Sequence, residues 1–426
     1  MPLPPFSKAP GAPPRARPLP RPLSRLLPRL LAVLAVVVGT ALAGPAPEAR
    51  AAVTLTRVSD FGANPGALTM YVYRPASLPA HPPVVVALHG CTQNAQTYAD
   101  NSGLPRLADR DGFLLVLAET GTANNPNRCF NWFQSTDNRR GQGEASSVRQ
   151  MVGQAVTAYG ADPGRVYVTG LSAGGAMTAV MLAAYPDVFS AGAVVAGLPY
   201  DCTRDNSPYT CMNPGVDLGP ADWAQRVRDA YPSYTGPWPR TAIWYGDQDT
   251  TVVPRNATGL RDQWTALHGL SQTPTRTATI GPDATRQDQY LAADGTVAVE
   301  VDRVPGIGHG TPVDPGTGGE QCGSTGAPYF LDSICSSRWI ARFFGLDTSD
   351  PGQPDPGGED PGGGDTTACW TASNYAHVQA GRATTSGGIT YANGSHQNMG
   401  LYNTFVTHTL KESPTGYFTL ADTACP

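Results

Sequence analysis

Six short, largely apolar runs recur along the first three quarters of the chain, at residues 84–88, 113–117, 165–169, 191–196, 241–245 and 297–301. Runs this short and this uniform suit strands buried on both faces, since a half-exposed strand would alternate apolar with polar residues. Helix-like stretches separate them, including 147–159 and 176–185, and a last one at 334–344 that stops at Gly345. A glycine just past the final apolar residue is a common helix terminator. Strand–helix alternation of this kind predicts an α/β fold, a mostly parallel sheet flanked on both sides by helices.

The two ends of the chain read differently. Residues 1–51 run from a basic stretch (Lys8, Arg15, Arg17, Arg21, Arg25 and Arg29) through an apolar run at 30–43 to Ala49-Arg50-Ala51. That order predicts a secretory signal peptide. A membrane anchor is the competing reading, but the apolar run falls short of the ~20 residues that a span needs. The leader holds seven basic residues and one acidic, so the remaining chain carries −11 against −5 for the whole. Such an acidic chain has little attraction for nucleic acid or anionic membranes, and a neutral substrate is expected. Near the other end, residues 347–368 are rich in Pro, Gly and Asp and hold no apolar side chain large enough to pack. They read as a solvated linker. The predicted domains are therefore a signal peptide (1–51), a large α/β body (52–346), the linker (347–368) and a small tail (369–426).

Eight cysteines follow the leader: Cys91, Cys129, Cys202, Cys211, Cys322, Cys335, Cys369 and Cys425. An even count in an exported chain implies disulfides, and the lack of any C-x-x-C pair argues against zinc. Neighbours are expected to pair in order, 91–129, 202–211, 322–335 and 369–425. The last bridge would close most of the tail and contribute roughly 4 kcal/mol by loop entropy.

The chemistry centres on Gly170-Leu171-Ser172-Ala173-Gly174-Gly175, which follows one predicted strand and opens a helix. Among 48 glycines, a G-x-S-x-G match is weak alone. A strand–turn–helix setting makes it a nucleophile elbow of the α/β-hydrolase fold. A serine hydroxyl needs a base to take its proton and a carboxylate to orient that base, and in this fold the chain order is serine, acid, histidine. Asp247 and Asp249 both follow the 241–245 strand. Asp249, lying further from the strand, is better placed to turn back toward the site. His309, between Gly308 and Gly310, is the histidine whose order and loop setting fit the base. A surface-loop histidine is the plain alternative. Oxyanion donors are expected from the backbone N–H of Ala173 and from His89-Gly90-Cys91-Thr92-Gln93, with Cys91 as the donor there. The cluster Cys129-Phe130-Asn131-Trp132-Phe133 either walls an acyl pocket or packs as core.

These segments, with Gly141-Gln142-Gly143-Glu144, the elbow and the strand before it, Gly246 to Val252, and Gly308-His309-Gly310-Thr311-Pro312-Val313, resemble the poly(3-hydroxybutyrate) depolymerase family of esterases. The match runs in consistent order across residues 53–345. It implies Ser172, Asp249 and His309 as the triad, the amides of Cys91 and Ala173 as the oxyanion hole, and Trp132 near the substrate. Feruloyl and acetylxylan esterases share the superfamily, so the substrate stays open on the body alone. In the tail, Cys369 to Val378, Gly381-Arg382-Ala383, Tyr391 to Ser395 and Asn398 to Phe405 resemble the C-terminal substrate-binding domain of secreted polyhydroxyalkanoate depolymerases. Read from its residues, the tail is short, aromatic and β-leaning. Its Trp, Tyr and Phe rings serve either a polymer face or its own core. The implied protein is a secreted, extracellular serine esterase acting on an insoluble polyester. It is expected to be a monomer that needs no metal or organic cofactor and binds neither nucleic acid nor membrane. A cell-wall esterase and a non-enzymatic polymer-binding protein are the alternatives.

Overall fold

The computed structural model describes residues 52–347, 368–380, 382–386, 388–393, 395–412 and 418–422. The predicted signal peptide lies outside these residues, as does the linker except for its two ends. Of those ends, Asp347 is ion-paired to Arg338 and Arg342 of the last helix of the body, and Ala368 opens a strand of the tail.

The body is built on strands β1 (Thr56–Val58), β2 (Thr69–Tyr73), β3 (Val84–Leu88), β4 (Leu114–Glu119), β5 (Val166–Leu171), β6 (Ala191–Val195), β7 (Arg240–Gly246), β8 (Arg276–Ile280), β9 (Thr285–Leu291) and β10 (Val297–Val304). They form one sheet in the order β1-β2-β4-β3-β5-β6-β7-β10-β9-β8. The six central strands, β4 to β10 in that order, are parallel. These are the six strands expected from the apolar runs. The antiparallel edges β1-β2 and β9-β8 have no counterpart in that reading. β8, Arg-Thr-Ala-Thr-Ile, is mostly exposed and carries no apolar run, whereas β2, Thr-Met-Tyr-Val-Tyr, buries alternate residues only.

Alternate side chains of the central strands enter separate cores. Val84, Val86 and Leu88 of β3 join one cluster, and Val85 and Ala87 the other. The first core is covered by α3 (Gly143–Tyr159), α4 (Ala173–Ala184), α6 (Pro220–Ala230) and α7 (Arg255–Leu267). The second is covered by α1 (Ala95–Ser102), α2 (Leu104–Asp111) and α8 (Ser336–Phe344). The short α5 (Pro208–Met212) lies between β6 and α6, and β11 (Thr311–Val313) pairs with β12 (Phe330–Asp332) beyond β10. Disulfides join Cys91–Cys129, Cys202–Cys211 and Cys322–Cys335, as expected. Cys369 is also disulfide-bonded; its expected partner, Cys425, lies outside the described residues. No helix among the described residues is long and apolar enough to cross a membrane.

The tail holds two three-stranded antiparallel sheets. One contains β13 (Ala368–Ser373), β17 (Thr407–Glu412) and β18 (Phe418–Leu420); the other contains β14 (Ala383–Ser386), β15 (Ile389–Ala392) and β16 (Asn398–Leu401). A short α9 (Asn374–Gln379) follows β13. Its small core includes Met399, Leu410 and Phe418, with Trp370 packed against it. Tyr375, Tyr402 and Phe405 remain exposed, Phe405 by 88%. The aromatic residues thus divide between core and surface.

Candidate active site

Ser172 sits between β5 and α4 with φ 57° and ψ −116°, a conformation that costs roughly 1–3 kcal/mol for a residue with a side chain. The surrounding glycines make the turn possible. A Cβ on Gly170 would lie 2.7 Å from the Leu88 carbonyl oxygen, one on Gly174 would strike the carbonyls of Leu88 and His89, and one on Gly175 would lie 2.7 Å from that of Val195. The Ser172 N–H donates to Val195 O at 2.9 Å, which fixes the turn to β6.

The hydroxyl meets an imidazole. His309 Nε2 is 2.8 Å from Ser172 Oγ, and His309 Nδ1 is 2.7 Å from Asp249 Oδ2. With a carboxylate at Nδ1, the ring carries its proton there and leaves Nε2 to accept from the hydroxyl. Asp249 is 3% exposed, and its other oxygen accepts the N–H groups of Thr251 and Val252 at 2.8 Å each. Asp247 is engaged elsewhere: it accepts from the Gly306 N–H at 2.8 Å and pairs with Arg303 at 2.9 Å. Burial acts to raise its pKa, but these partners bring it below the usual carboxylate value. It therefore anchors the loop that presents His309, and of the two aspartates it is Asp249 that lies against the His309 ring. The same two loops are joined by Gln248 N–H to Ile307 O at 3.0 Å.

The loop after β3 is held from beneath. His89 accepts the Thr120 N–H on Nε2 at 3.2 Å, so its Nδ1–H donates to Gly90 O at 2.7 Å. Burial lowers its pKa to about 4 and keeps it neutral. The Gly90 N–H donates to Gln93 Oε1, the Thr92 N–H to Asn127 O, and the Gln93 N–H to Gly90 O. The amides of Cys91 and Ala173 have no acceptor among the described residues. The Cys91–Cys129 bond ties this loop to the segment carrying Phe130 and Asn131. There the Asn131 N–H donates to buried Glu144 at 2.6 Å. Burial pushes Glu144 up to about 8, against the donors around it.

A cavity of about 160 Å³ adjoins Ser172 and His309, walled by Gly90, Cys91, Leu171, Met212, Thr251 and Tyr329. Trp132 does not line it. That side chain is 7% exposed, packs edge to face on Phe133 at 5.5 Å and belongs to the core. Met212 and Tyr329 were not identified from the sequence. Met212 reaches the site because the Val253 N–H donates to its carbonyl at 3.0 Å, and Tyr329 stands edge-on to the His309 ring at 6.2 Å. Both contacts join distant segments, and no local pattern marks them. Among the described residues no cluster of three or more His, Cys, Asp or Glu is arranged to hold a metal ion.

A largely parallel sheet with helices on both faces and a serine at a strand-to-helix elbow defines the α/β-hydrolases, and this one is a carboxylic-ester hydrolase. The chain belongs to the Esterase PHB depolymerase family, whose sequence profile matches residues 67–287. It is 50% identical over 294 residues to poly(3-hydroxyalkanoate) depolymerase C of Paucimonas lemoignei, covering 68% of this chain and 70% of that protein. It is 37% identical over 276 residues to an acetylxylan esterase of Coprinopsis cinerea, covering 63% and 72% respectively. Among solved structures, an acetyl xylan esterase from Aspergillus awamori aligns with a TM-score of 0.58 at 27% identity, over 69% of this chain and 99% of that one.

Proposed function

We propose that this esterase hydrolyses a poly(3-hydroxybutyrate)-like polyester outside the cell, through a Ser172–His309–Asp249 triad. The observation that carries the reading is the unbroken hydrogen-bonded chain from hydroxyl to imidazole to buried carboxylate, at 2.8 and 2.7 Å. His309 Nε2 takes the Ser172 proton as Oγ attacks the ester carbonyl. The tetrahedral oxyanion accepts from the amides of Cys91 and Ala173, and Asp249 stabilises the imidazolium. His309 then protonates the departing alcohol end of the polymer, leaving a 3-hydroxyacyl group on Ser172. Water, deprotonated by the same histidine, releases the hydroxyacid. Besides the ester and one water, these steps use groups of this chain.

The polyester reading is favoured over a cell-wall ester by the higher identity to the Paucimonas lemoignei depolymerase than to the acetylxylan esterase. It is also favoured by the exposed rings of the tail. In this reading the leader 1–51 is removed on export, the linker 347–368 tethers a substrate-binding domain at 369–426, and the enzyme works as a monomer. A tethered binding module raises the local concentration of ester at the active site. Acetyl or feruloyl xylan is the second reading, supported by the match to the Aspergillus awamori structure.

The test is Ser172→Ala. It is expected to lose at least ~10⁴-fold of hydroxyacid release while still adsorbing to polymer granules. Near-normal turnover by that variant would overturn the triad. Clearing of an acetylxylan or feruloyl-xylan suspension without clearing of polyhydroxybutyrate would overturn the substrate.

A further inference from the structure

A second cavity, of about 440 Å³, opens at the other end of the sheet from Ser172. Pro163 and Gly164, before β5, and Ser190, Pro239 and Arg240, at the starts of β6 and β7, contribute to it. Ser172 follows the last of the six residues of β5, so a strand length, roughly 20 Å, separates the two sites. The walls are stiff. Prolines 163, 186, 237 and 239 limit their loops, Tyr234 and Trp238 stand edge to face at 5.1 Å, and the Tyr234 hydroxyl donates to Pro237 O at 2.6 Å.

One guanidinium, that of Arg240, lines the cavity with its fork of donors unmet. Arg240 lies over the Phe343 ring at 4.7 Å, and its guanidinium makes no hydrogen bond or ion pair with any described residue. Two carboxylates reach the wall. Asp187 is taken by Arg140 through two bonds of 2.7 Å, and Asp294 is exposed and bonded to the Thr296 N–H at 2.9 Å. Inside the sheet, Glu300 pairs in register with Ala242, two residues along β7 from Arg240. Burial raises the Glu300 pKa and lowers that of Arg240, and the two attract through space without a hydrogen bond between them, so the Arg240 donors stay unmet. A partly desolvated guanidinium is costly until a carboxylate meets its fork of donors.

We infer that this cavity binds an apolar monocarboxylate, held by Arg240 through the carboxylate and by Trp238 and Tyr234 through its hydrocarbon body. Every turnover of a carboxylic-ester hydrolase releases an acid, so the ligand is of the product class. The inference rests on the esterase class and not on which polymer is cut.

Calorimetric titration of the full chain with hexanoate tests it, with hexanamide as the uncharged probe. Saturable 1:1 binding of hexanoate is expected, at least tenfold tighter than hexanamide and weakened at least tenfold by Arg240→Met. Hydrolysis of a soluble p-nitrophenyl ester by the variant is expected to stay within twofold, which also reports an intact fold. Should Arg240→Met not fold, Trp238→Ala is expected to give the same tenfold loss. Absence of saturable binding, equal binding of hexanamide, or hexanoate affinity unchanged by the substitution would overturn the site. None of those results alters polymer clearing, which tests the proposed substrate separately.

Discussion

At the residue scale, the two aspartates after β7 have separable tasks. Asp249→Asn keeps the shape but presents the wrong donor to His309 Nδ1, and kcat is expected to fall about 10⁴-fold. Asp247→Asn still offers an oxygen to the Gly306 N–H and loses only a half-exposed pair with Arg303. Its kcat should fall less than about tenfold. Steady-state kinetics on a soluble ester distinguish the two, and the opposite ranking would exchange their roles. His89 makes stability depend on pH. Its folded pKa, about 4, lies below the unfolded value of 6.5, so the unfolded chain binds more protons between those limits. The stability it contributes is present above pH 6.5 and is lost as pH falls through about 4. His89→Asn should cost about 1–3 kcal/mol near neutrality through its lost bonds, yet flatten the decline in urea midpoint between pH 7 and pH 4.5.

At the element scale, the elbow and the loop after β3 depend on close backbone approach. Gly174→Ala would drive a methyl group into the carbonyls of Leu88 and His89. Overpacking of about 3 kcal/mol should lower Tm by roughly 5 °C or more. The Cys91–Cys129 bond closes a separation of 38 residues around the loop that carries the proposed Cys91 donor. Cys129→Ser should therefore reduce kcat by about 10–100-fold with little change in KM, because the amide it positions acts in the transition state. A larger effect on KM than on kcat would show that the bond serves substrate binding instead. The elements differ in how plainly the sequence announces them. The central strands were legible because burial on both faces leaves runs such as Val-Val-Val-Ala-Leu, and the elbow because its glycines sit against carbonyls of β3 and β6. β8 and β9 were not: β8, at the edge of the sheet, keeps exposed residues such as Arg276, and β9 carries polar residues inside the sheet, of which Gln287 is buried and donates to Asp302. Met212 and Tyr329 were not legible either, because their placement comes from contacts between remote loops.

At the scale of the whole molecule, catalysis and adsorption are expected to be separable. Among the described residues of the tail, Phe405 and the paired rings of Tyr375 and Tyr402, 5.6 Å apart, are the exposed aromatic groups, whereas Trp370 packs with Phe418 in its core. Burying a ring against a polyester surface is worth roughly 1.5–3 kcal/mol. Replacing Tyr402 and Phe405 together by Ala should weaken adsorption to polymer granules at least tenfold while leaving kcat/KM on a soluble ester unchanged. Unaltered adsorption would move the gripping face elsewhere. Within the body, Ser172, Asp249 and His309 leave the ends of β5, β7 and β10, three strands that belong to one continuous ladder. Turnover is therefore a gauge of the ladder itself: no excised piece holding fewer than these three strands can be competent. On heating, hydrolysis should vanish together with the far-ultraviolet dichroism of the sheet rather than ahead of it.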